Sequence, residues 1–71
     1  MIFEIIDLDT GNVLGAYDTE ELALRFVKGI SQVNSVELMA SVALLREDTA
    51  GQITVLAEGQ ALLERAGSLA A

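Results

Sequence analysis

The chain has 71 residues, with 11 acids against 4 bases for a net charge of -7, and it contains no cysteine and no histidine. Disulfides are therefore excluded, the usual zinc and copper ligand sets are missing, and so are the Ser-His and Cys-His pairs of most nucleophilic catalysis. The negative balance also disfavours nucleic acid and other phosphate-rich partners.

Hydropathy pulls the other way. Hydrophobic residues make up 52% of the chain and mean hydropathy is +0.48. A domain this small has much surface and little interior, so part of that apolar content is expected outside its own core, at a protein–protein interface. No run approaches the ~18 apolar residues that cross a bilayer. The opening MIFEIIDLDT has no basic start and meets an acid at Glu4, which is not a signal-peptide pattern. The expectation is one cytoplasmic domain over residues 1–71, with no membrane partner.

Residues 2–8, IFEIIDL, read as a strand. DTGN follows as a turn in which Gly11 supplies the left-handed position, and VLGAY at 13–17 returns as a second strand. With Gly11 as the bulge, Phe3 faces Tyr17, Ile5 faces Gly15 and Asp7 faces Val13. The period then changes. DTEELALRFVKGI opens on Asp18 as N-cap with Glu21 completing a capping box, and Leu22, Phe26 and Ile30, flanked by Ala23 and Val27, make an apolar stripe ending near residue 31 or 32. Leu24 falls with Glu20 and Lys28 on the side that should be wet. In the link, Ser35 can start a short helical turn.

The second half follows the same plan. SVALLRE at 41–47 and QITVLAE at 52–58 flank the turn DTAG, and ALLERA at 61–66 is a short helix with Gly67 as its stop. The tail over 67–71 is expected to be loose unless Leu69 docks. A shift of 40 positions places Gly11 on Gly51, Leu22 on Leu62 and Arg25 on Arg65. The chain therefore reads as two ββα units, 2–32 and 41–67.

The fold class that follows is α+β, a four-stranded antiparallel sheet with both helices packed on one face. The helix-covered face is expected to hold Phe3, Ile5, Val13, Tyr17, Val42, Leu44, Ile53 and Val55. The other face would show Ile6, Leu8, Leu14, Ala16, Ala43, Leu45, Thr54 and Leu56, with Glu4 and Glu47 among them. A solvated sheet face normally turns polar at such positions. The candidate interface is therefore Ile6, Leu8, Leu14, Ala16, Leu24, Ala43, Leu45 and Leu56.

Chemistry is sparse. DLDTGN resembles a calcium loop in composition, but Gly11 and Asp18 fall at the wrong positions and hairpin-turn chemistry accounts for the stretch. Asp9 and Asp48 are turn acids, and Glu4 reads as a water-exposed acid in a strand. GNVLG is interrupted by a strand and is not a phosphate loop. Arg25, Lys28, Arg46 and Arg65 are too few and dispersed for a nucleic-acid patch. No catalytic residue, metal or cofactor is expected.

DLDTGNVLGAYDTEELAL (7–24), ALLREDTAGQ (43–52) and LAEG (56–59) together resemble a type of small acidic bacterial protein with a β-β-α-β-β-α layout. That resemblance covers most of the chain, rests on turn and cap residues, and implies the fold and a bacterial origin but no activity. The hairpin–helix start is also similar to small antitoxins of the HicB type, from which the second helix and the lack of a DNA-binding segment depart. Two functions are expected on these grounds: a non-catalytic association protein forming a homodimer through its apolar sheet face, or an acidic antitoxin-like or inhibitor-like partner that neutralises one specific protein. A small-ligand carrier would need a larger core.

Overall fold

The computed structural model describes residues 1–69. Its elements are β1 (Ile2–Asp7), β2 (Val13–Tyr17), α1 (Glu20–Ser31), α2 (Val36–Met39), β3 (Val42–Glu47), β4 (Ile53–Glu58) and α3 (Gly59–Gly67). The strands form one antiparallel sheet in the order β2-β1-β3-β4. Helix α1 lies over β1 and β2, α3 lies over β3 and β4, and the two helices pack against each other. The fold is therefore α+β with helices on one face, as the sequence predicts. The molecule measures 35 × 30 × 17 Å. Its short axis has room for the sheet and one helix layer, whose spacing is roughly 10 Å.

The core lies between those layers. Phe3 and Ile5 of β1 and Val42 and Leu44 of β3 meet Ala23, Leu24 and Val27 of α1, Met39 of α2, and Leu62 and Ala66 of α3. Tyr17 adds its ring to Phe26 with centroids 5.8 Å apart. Leu69 is half-buried against this cluster, whereas Ala70 and Ala71, the rest of the tail expected to be loose, lie outside the described residues.

The helix starts depart from expectation in detail. Thr19, not Asp18, is the N-cap of α1: its backbone is extended and its hydroxyl accepts the Leu22 N–H at 3.2 Å. Glu20 and Glu21 then occupy the first turn, where a carboxylate suits the positive end of the helix dipole. Ser35 caps α2 in the same way through the Leu38 N–H. Helix α3 begins at Gly59, two residues earlier than its apolar pattern, and its C-cap is Ser68 instead of Gly67.

Both hairpin glycines are left-handed, Gly11 at φ 76° and Gly51 at φ 83°. Each turn is also held by its aspartate: Asp7 Oδ1 accepts the Asp9 N–H, and Asp48 Oδ1 accepts the N–H groups of Ala50 and Gln52. The two loops differ in length. The Asp48 N–H pairs with the Gln52 carbonyl around residues 49–51, but the Asp7 N–H pairs with the Asn12 carbonyl around residues 8–11. That longer first loop brings Val13 opposite Ile6, not Asp7. A β-bulge at Leu14 then absorbs the extra residue, restoring the predicted pairs Ile5–Gly15 and Phe3–Tyr17.

Gly59 joins β4 to α3 under two constraints. Its φ is +56°, and a Cβ built there would stand 3.2 Å from the backbone carbonyl oxygen of Ala40 at the end of α2. A left-handed non-glycine residue costs about 1–2 kcal/mol, and a backbone oxygen cannot move aside as a side chain can. Gly59→Ala is expected to cost about 2 kcal/mol by urea unfolding. Gly67→Ala, where a Cβ meets nothing within 4 Å, should be neutral or stabilising by up to about 1 kcal/mol.

Candidate functional site: the open sheet face

Residues paired across an antiparallel ladder share a face, so the register sorts the side chains. Phe3, Ile5 and Asp7 of β1 pair with Arg46, Leu44 and Val42 of β3, and this is the helix-covered side. Ile2, Glu4 and Ile6 pair with Glu47, Leu45 and Ala43, and this is the open side. Leu8 extends that row beyond the strand, with its N–H on the Ser41 carbonyl at 2.8 Å. The edge strands add Val13 and Ala16 through β2, and Ile53, Val55 and Glu58 through β4.

Five of the expected interface residues, Ile6, Leu8, Ala16, Ala43 and Leu45, lie on this open side. Ala43 is fully buried there, a small side chain in a central strand beneath its neighbours. Three others do not belong to it. Leu14, the bulged residue, lines a cleft with Phe26 and Ile30 on the helix side. Leu56 is the inserted residue of a second bulge, between the Leu44–Ala57 and Leu45–Val55 pairs, and it packs against the core. Leu24 is 4% exposed and belongs to the core outright. Glu20, one turn before Leu24, reaches Arg65 of α3 at 3.0 Å. That side of α1 therefore faces the second helix, with Glu20 and Arg65 at the rim of the contact.

The exchange works in both directions. Val13, Ile53 and Val55, expected under the helices, stand on the open side at 54%, 57% and 57% exposure. Thr54, expected on the open side, pairs with Arg46 and faces the helices. The corrected face is therefore more apolar than alternation alone suggests: Ile2, Ile6, Leu8, Val13, Leu45, Ile53 and Val55 line it, with Glu4, Glu47 and Glu58 as its charged members. Its bulges leave a signature on the other side. The carbonyl of the bulged Leu56 accepts a hydrogen bond from Arg65 at 3.1 Å, and the same guanidinium holds Glu20.

The remaining features are local. The cleft beside Leu14, of about 330 Å³, is lined by Leu14, Phe26, Ile30, Leu38, Met39 and Val42 with Asp7 and Asn34. Asp7 is engaged in its turn and Asn34 donates to the Ile30 carbonyl at 2.8 Å. Among the described residues no three acidic side chains converge to hold a metal ion, and no helix is long and apolar enough to cross a membrane. The chain matches no protein-family model, and no curated protein or solved structure matches it significantly.

The two kinds of apolar position separate by stability. Leu24→Ala, which empties a site in the monomer's own core, is expected to cost about 2–4 kcal/mol in urea unfolding at low micromolar concentration. Val55→Thr, at an exposed position on the open face, should change stability by no more than about 0.5 kcal/mol.

Proposed function

We propose that this chain is a non-catalytic association module whose contact surface is the open face of its sheet. One observation carries the reading: seven large aliphatic side chains share a sheet face that no element among the described residues covers. An antiparallel sheet left in water ordinarily alternates to polar residues on that side. Edge-to-edge pairing is the competing route for an open sheet. Here β2 and β4, the two edge strands, each carry a bulge, which breaks the flat ladder another strand would need.

A second copy is the simplest occupant, and stacking two such faces would bury both at once. It would also bring together two faces whose charged side chains, Glu4, Glu47 and Glu58, are all acids. Placement of charge thus favours the second expected function, an acidic partner of a different protein, at ordinary salt. Self-stacking becomes favourable where the acids are screened.

Light scattering behind size exclusion, run over a concentration series at two salt levels, tests the surface itself. The expected result is a monomer at about 0.01 M salt and a concentration-dependent dimer at about 1 M, where the screening length falls from about 30 to about 3 Å. Leu45→Glu should abolish the dimer while leaving the circular dichroism spectrum intact. A dimer that survives Leu45→Glu rules out the open face as the contact surface, and a chain that stays monomeric at high salt rules out self-stacking and leaves a different protein as the occupant.

A further inference from the structure

The four basic residues all lie on the helix side of the molecule. Arg25 and Lys28 are on α1, Arg65 is on α3 bonded to Glu20, and Arg46 pairs across the sheet with Phe3 and so faces the helices. Acids occur on both sides, but the open face carries acids alone: Glu4 between Leu45 and Ala16, Glu47 beside Ile2 and Ile53, and Glu58 at the far edge beside Ala43. Like charges facing each other across a contact are unfavourable, whereas opposite charges select the partner. An acid-only face repels nucleic acid and anionic membrane surfaces, and it repels its own copy.

Shape narrows the choice further. The bulged edges disfavour an added strand, and the opposite face of the same sheet already accommodates helices of 12 and 9 residues. A strand of six residues is about 20 Å long, the length of a helix of about 14 residues. We propose that the open face seats a basic amphipathic helix of a different protein, its apolar side on Ile6, Leu45 and Val55 and its Lys or Arg side chains against Glu4, Glu47 and Glu58. This inference rests on the open face being the contact surface.

The test uses two labelled synthetic helical peptides of about 14 residues with one leucine face in common, one carrying lysine on its polar side and the other glutamate. Fluorescence anisotropy of the full chain with each is expected to show the lysine peptide binding at least about tenfold more tightly. Glu4→Gln, Glu47→Gln and Glu58→Gln together should weaken it by roughly threefold to tenfold. Glu21→Gln, Glu37→Gln and Glu64→Gln, an equal change in charge on the helix side, should leave it nearly unchanged. If both triple variants weaken binding alike, the attraction is only net charge and the proposal is overturned. Self-association stronger than peptide binding at the same salt overturns it too, in favour of a second copy. The Leu45→Ser/Val55→Ser variant separates the two levels of inference. Undiminished binding there sinks the contact surface itself, while lost binding with no response to the face acids sinks only the basic partner.

Discussion

A four-stranded sheet presents two faces, and this chain has helices for one. Its two longer helices, of 12 and 9 residues, lie side by side on the same surface, and α2 adds a single turn beside them. Everything else in the molecule follows from that shortage. The core is a single layer between β1 and β3 and the helix pair, closed by Ile5, Leu44, Val27 and Leu62, which have no exposed surface. Burial of apolar area is the main favourable term in folding. A chain of this size that spends half its residues on apolar side chains, yet closes one layer, must leave some of them in water.

The bulges decide which ones. In a strand the side chains alternate, so one inserted residue moves everything beyond it to the opposite face. Leu14 and Leu56 are the inserted residues, and each turns inward toward the helices. Beyond them Val13, Ile53 and Val55 turn outward. At the second bulge the Leu56 carbonyl accepts from Arg65, which also holds Glu20 of the other helix. Arg65 thereby links β4, α3 and α1 at the point where the edge strand is least regular.

These same bulges mark where sequence alone stops being informative. Strand and helix periods, turn glycines and the capping hydroxyl of Ser35 are local, and they place every element to within a few residues. A bulge has no comparable local mark: nothing about VLGAY distinguishes a strand that alternates from one that skips at Leu14. The outcome depends on the first loop, where Asp7 pairs with Asn12 and lengthens the turn by one residue. Leu24 was illegible for another reason. The stripe of Leu22, Phe26 and Ile30 points to one buried direction, but α1 has two, the sheet and α3. Leu24 fills the second, leaving Leu22 46% exposed. The helix–helix contact is a tertiary fact that a single-helix pattern does not encode.

The apolar face survives these corrections because it depends on composition and on the described helices all packing on the other side of the sheet, not on any one register. What the register adds is the sorting of charge. Arg46 stands beside Glu47 in sequence but on the opposite face, because neighbours in a strand point to opposite sides. Had the ladder slipped by one residue, Arg46 would lie on the open face and compensate Glu4. The observed register instead gives the helices every base and the open face only acids. Hydrophobic area makes a surface sticky toward many partners, while a uniform sign of charge rejects most of them. An uncovered aliphatic face bearing Glu4, Glu47 and Glu58 combines the two, attraction without specificity and specificity by repulsion. The partner proposed for it therefore has the same hydropathy and the opposite charge.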